Sequence, residues 1–190
     1  MDFRDLDRQA MKLAGEVISH VRPDQLRLPT PCADWTLHGL LRHLVSEDLA
    51  FAAATTAGTG PSEVDWNAGR LGADPVADYQ RAAAGYLTAF EPDHVLGHPM
   101  RINVFGVFPG SVAVSMHFVD TIVHGWDVAK TIGVPYAPDA DLSVAALKIM
   151  KRFPPERPTP AFDVQVAVPE NASELDELLA YVGREPGWAR

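Results

Sequence analysis

Apolar residues recur at spacings of three and four along most of this chain, the period of amphipathic helices. Leu6, Ala10, Leu13, Val17 and Val21 mark a first helix over about 5–21, with Asp2, Asp5 and Asp7 near the end where the helix dipole favours anions. Pro23, Pro29 and Pro31 exclude regular structure from the next segment. Thr36 then caps a second helix to about Thr56, whose buried stripe is Leu37, Leu40, Leu41, Leu44, Val45, Phe51 and Ala52. The connection over 58–74 is polar and dotted with glycine, and Trp66 within it predicts a segment folded back onto the body. Asp74 and Pro75 supply the cap and first position of a third helix that stops at Glu91 and Pro92.

Residues 93–110, with Gly97, Pro99, Gly106, Pro109 and Gly110, read as a loop or short hairpin. A longer helix follows over about 112–132, capped by Ser111, with Met116, Phe118, Val119, Ile122, Val123, Trp126 and Ala129 as its core-facing stripe. Beyond Gly133, Asp139 or Asp141 caps a helix to about Arg152, and FPPERPTP breaks the chain. AFDVQVAV alternates and predicts a short strand; Ser173 with Asp176 resembles a capping box for a last helix over 174–182, ended by Gly183. The pattern predicts a mainly α protein. The expected architecture is an antiparallel bundle of four or five helices with long crossover connections over 1–155 and a small strand-helix extension over 156–190, forming one domain.

With 190 residues, 47% of them hydrophobic, the chain can build one substantial core. Sixteen Lys plus Arg against 25 Asp plus Glu give a formal charge of −9, which opposes nucleic acid and anionic lipid as partners. The start MDFRDLDRQA lacks the features of a signal peptide, and no apolar run is long enough to span a bilayer. A cytoplasmic monomer or homodimer acting on a small molecule is the expectation. Cys32 is the single cysteine, so a metal site would have to be built from imidazole and carboxylate.

The chemistry is concentrated in HFVDTIVHGWD. On a helix, His117, Asp120, His124 and Asp127 fall within an arc of about 80°, and no Lys or Arg appears on the long helix before Lys130. Asp120 and His124, four apart, project side by side and can hold one cation. His43, at the edge of the second helix's apolar stripe, is placed to be a third ligand if the two helices face each other. Asp127 and His117 are candidates to orient a ligand or move a proton, and Glu47 to sit behind or complete the set. His94 and His98 are weaker candidates. The bland alternatives are a solvated polar face, or a closed hydrogen-bond network of the same groups.

Taken in order and at their separations, PTPCADWTLHGLLRHLV, HFVDTIVHGWDVAKTIG and VAVPENASELDELLAYVGREPGW resemble the actinobacterial metal-binding proteins of the DinB-like superfamily that are similar to mycothiol-dependent maleylpyruvate isomerase. The resemblance implies a four-helix bundle holding a divalent metal, usually zinc, through His43, Asp120 and His124. It also implies a low-molecular-weight thiol such as mycothiol as co-substrate for isomerisation or S-transfer. The isomerase has Glu where this chain has Asp120, and a larger C-terminal domain. Arg184 is the cation nominated for an anionic substrate.

Three functions follow as expectations: a thiol-dependent transferase or isomerase acting on a small electrophilic metabolite; a different metalloenzyme using two histidines and a carboxylate, such as a non-haem iron oxygenase, although those space their first His and carboxylate two residues apart; or a metal-loaded binding module without turnover.

Overall fold

In the computed structural model, residues 2–152 and 162–189 are described. Helix α1 spans Arg4–Ile18, α2 Leu37–Ala54, α3 Pro75–Ala89 and α4 Gly110–Ile132; these four form the bundle. Helix α1 packs along α4, α2 along α3, and α2 also meets α4. Helices α5 (Ala140–Met150) and α6 (Glu174–Tyr181) pack on each other, and α5 packs on α4. Strands β1 (Pro99–Ile102) and β2 (Gly106–Pro109) form an antiparallel hairpin, pairing Pro99 with Pro109 and Ile102 with Gly106, which leads directly into α4.

The capping residues read from the sequence act locally as expected in three helices. Thr36 accepts a hydrogen bond from Gly39 N, Asp74 from Ala77 N, and Ser173 from Asp176 N. Helix α4 differs: it starts at Gly110 with Pro109 as its cap residue and no side-chain cap, because the hairpin delivers the chain one residue before Ser111. Helix α1 ends at Ile18, and a 3-10 turn at Pro23–Gln25 follows. AFDVQVAV forms no strand over 162–168. Its Val166 N–H instead donates to Ala180 O at the end of α6, so the pleated pattern finds a helix terminus rather than a sheet edge. The boundary expected near 155 lies in 153–161, outside the described residues.

The core has three connected clusters, and α4 contributes to all of them. Phe118 and Ile122 are fully buried, each contributing about 1.5–3 kcal/mol by area. The helix is buried nearly all round rather than on one stripe, since α1, α2, α5 and the hairpin enclose it. Its polar face therefore meets other helices, and each charged group there needs a partner. The connection over 58–74 lies on α2: Gly69 N donates to Ser46 Oγ, and Trp66 meets Phe51 edge-on. Among the described residues, no helix is long and apolar enough to cross a membrane.

Candidate metal centre

His43 from α2 meets Asp120 and His124 from α4. His43 Nε2 lies 3.5 Å from Asp120 Oδ1, and His124 Nε2 lies 3.4 Å from the same oxygen. One donor atom from each residue lies within 4.8 Å of the other two. The two contacts are longer than the 2.7–3.2 Å of a good N–H···O bond. His43 Nε2 is buried and makes no hydrogen bond, a condition that costs roughly 1–3 kcal/mol if nothing satisfies it. Ligands held about 2.1 Å from one ion at tetrahedral angles would stand about 3.4 Å apart. The donor set and the two closest spacings fit a divalent ion. The side chains of His43 and Asp120 are 20% and 28% exposed.

A second layer fixes the ligands. His124 Nδ1 donates to Asp127 Oδ2 at 2.8 Å, which leaves Nε2 facing Asp120. Asp127 is fully buried and also receives Arg184, whose Nε lies 3.1 Å from Oδ1 and whose Nη2 lies 3.2 Å from Oδ2. Glu47 Oε1 stands 3.8 Å from His43 Nδ1. The Trp35 ring lies 4.5 Å from His43 and 5.7 Å from His124. Its loop is tied by Thr30 Oγ1, hydrogen-bonded to the carbonyls of Cys32 and Trp35, and by the pairing of Pro29 with Thr36.

The electrostatics follow from burial and these partners. Burial disfavours the charged form of Asp120, but His124 and His43 outweigh it and hold the carboxyl well below its usual range. Burial likewise opposes protonation of His124, yet Asp120 and Asp127 push it up to about 9. Burial, reinforced by Asp120, pushes the Glu47 carboxyl up to about 8. Cys32 is pushed up to about 11, chiefly by burial.

His117 does not join the trio. Its Nδ1 lies 2.9 Å from Asp7 of α1 and its Nε2 3.0 Å from Asp48 of α2, while its ring stacks on Tyr86 of α3 at 3.8 Å. Tyr86 Oη in turn donates to Asp7. Burial opposes its charge, but the two carboxylates push it up to about 10, so at neutral pH it donates from both nitrogens. This cluster joins all four bundle helices. His94 is exposed and His98 Nε2 faces Ala57 O at 3.5 Å, so neither approaches the centre. The sequence pointed to no site role for Trp35, Asp48 or Tyr86 and gave Asp7 only a place near the helix dipole; for Trp35 the signal was its place in PTPCADW, whereas the other three lie among ordinary helix positions.

Two curated relatives cover almost the whole chain: "Uncharacterized protein Rv0738" of Mycobacterium tuberculosis strain H37Rv and "Uncharacterized protein MT0763" of strain CDC 1551. Each is 29% identical over 189 residues, spanning 97% of this chain and 98% of the relative. The fold is similar to crystal structures of mycothiol-dependent maleylpyruvate isomerase and of a point mutant of it. The TM-scores are 0.59 and 0.60, the identities 14% and 13%, and 77% of this chain is covered. The chain matches 65% of the length of that isomerase. The family described as mycothiol maleylpyruvate isomerase N-terminal domain matches residues 8–129, from within α1 to near the end of α4 and therefore across all three residues of the centre; the chain belongs to that family.

Proposed function

We propose that this protein is a thiol-dependent isomerase or transferase of the mycothiol type, acting on a small electrophilic metabolite. His43, Asp120 and His124 would hold a divalent ion, with zinc the one the family resemblance implies. The observation that carries the reading is the meeting of these three side chains from two helices, with the buried His43 Nε2 left without a hydrogen bond. Family membership and the fold it shares with a mycothiol-dependent enzyme support the thiol.

Three protein ligands would leave a coordination position open, where a divalent ion would supply the positive charge that holds a thiol as its thiolate. The chain's own residues prepare that event. Asp127 keeps the proton of His124 on Nδ1 and so keeps Nε2 directed at the centre. Trp35 packs its ring against both imidazoles. Glu47, whose carboxyl burial pushes up to about 8, stands beside His43 and can hold or hand on a proton at Oε1. Cys32, held as a neutral thiol, is a poor nucleophile, which favours a thiol brought in as co-substrate. The isomerase portion that this chain does not match would carry substrate contacts of its own, so the electrophile here is specified by class only.

Equilibrium binding of mycothiol to the zinc-loaded protein, followed by mass spectrometry, tests the reading. Binding that vanishes in His124→Ala supports it. Equal binding by the zinc-free protein, or none by the zinc-loaded one, refutes thiol use.

A further inference from the structure

Arg184 lies 57 residues beyond Asp127 in sequence, in the segment after α6, yet it is 6% exposed and forks onto a carboxylate that is 0% exposed. A guanidinium is not buried without cause, because its desolvation costs several kcal/mol unless a well-placed anion offsets it. The local backbone is built to place it. Gly183 has φ +82°, Gly183 N–H donates to Ala180 O, and Arg184 N–H donates to Leu179 O at 2.8 Å. Those two bonds form a Schellman motif, which turns the chain sharply off α6. A side chain at 183 would also meet the backbone of Asp163 at 2.9 Å, so the segment 162–168 lies directly against this turn, and its Val166 N–H is tied to Ala180 O.

Asp127 is thereby shared: Oδ2 accepts from His124 Nδ1 at 2.8 Å, and both oxygens accept from Arg184. We infer that Arg184 is a positioning residue for the metal centre, holding Asp127 so that His124 keeps its ligating tautomer, and that the order of the C-terminal segment and occupancy of the centre are therefore coupled. The inference rests on the metal reading proposed above. A ligand's supporting partner typically changes metal affinity 10- to 100-fold when it is lost. Because coupling of two equilibria is reciprocal, the ion must stabilise the segment by the same factor by which the segment tightens the ion.

Zinc affinity of the full chain is measured by competition with a chromophoric chelator, for the wild type, Arg184→Met and Arg184→Lys. Hydrogen exchange of 163–168 and 180–184 is measured in the wild type with and without zinc. The expected result is a zinc dissociation constant raised about 10- to 100-fold in Arg184→Met, partly restored in Arg184→Lys, and slower exchange of both segments in the zinc-loaded wild type. In the zinc-loaded wild type, nitrogen-15 spectra of His124 show the proton on Nδ1; in Arg184→Met that signal broadens or shifts. A wild type that binds zinc while both segments exchange at an unchanged rate overturns the coupling and leaves the metal reading intact. So does an Arg184→Met protein that binds zinc as tightly as the wild type. A wild type that binds no zinc overturns both. The exchange measurement uses no variant, so misfolding of Arg184→Met does not remove the test.

Discussion

His43 Nε2 and Asp120 Oδ1 face each other at 3.5 Å across the α2–α4 contact, near enough to share one ion and too far for a good hydrogen bond. In the ion-free protein His124, pushed up to about 9, carries a proton that a ligating imidazole must lose. Zinc affinity therefore rises with pH below about 9, by about tenfold per unit where one proton leaves. Calorimetry in buffers of different ionisation enthalpy measures the release; a pH-independent affinity between 6 and 8 contradicts this.

His117 serves the bundle rather than the centre. Removing it strands two buried carboxylates, so His117→Ala is expected to lose roughly 3–5 kcal/mol of stability, while a folded His117→Gln protein keeps zinc affinity within about threefold, because both ring nitrogens are already taken. Urea unfolding and chelator competition check the two halves. A large fall in zinc affinity for His117→Gln would show that the imidazole serves the site after all.

The same network has a pH signature. Its raised pKa means the charged imidazole stabilises the fold fully below about 6.5, the unfolded value, and progressively less as pH rises through about 10. Asp48, raised chiefly by burial, contributes a loss of the same sign that sets in as pH rises above about 3.8, where the unfolded carboxyl ionises first. Unfolding free energy in the zinc-free protein should fall from pH 6.5 to 10, with a shallower slope in His117→Gln. An identical slope in the variant contradicts the assignment.

Much of this was legible beforehand. The existence and order of the helices follow from apolar spacing and from Thr36 and Asp74 as caps in the bundle and Ser173 at α6, and the i, i+4 relation put Asp120 beside His124 without any tertiary knowledge. His117 was misplaced because a helical wheel fixes direction about one axis only: with α1 and α2 on different flanks of α4, one turn separates a residue lining the centre from one inside the bundle. Arg184 could be named but not located, since its path depends on the turn at Gly183 and on 163 lying against it. AFDVQVAV carried a strand pattern, but among the described residues it meets no strand to pair with.

The long connection is held by close backbone approach. A Cβ on Gly69 would fall 2.7 Å from Arg42 O and from Ser46 N. Gly69→Ala should therefore lift the 58–74 segment off α2, at a cost on the order of 1–3 kcal/mol, and speed hydrogen exchange at Gly69 N, which donates to Ser46 Oγ. Unchanged exchange and stability would mean that α2 yields to the added methyl.

Trp35 reports on the centre from its place against both imidazoles. Zinc titration should change tryptophan fluorescence in the wild type, and Trp35→Phe should abolish most of that change. A full response in the variant would assign it to another of the four tryptophans.

The most direct test of the account is the metal content and X-ray absorption of protein purified without an affinity tag, compared with His43→Ala. The prediction is about one divalent ion per chain, with a nitrogen and oxygen shell near 2.0–2.1 Å that includes two imidazoles, and loss of the ion in the variant. A wild type without bound metal that also fails to take up zinc, or an ion retained with the same imidazole count in His43→Ala, would contradict it.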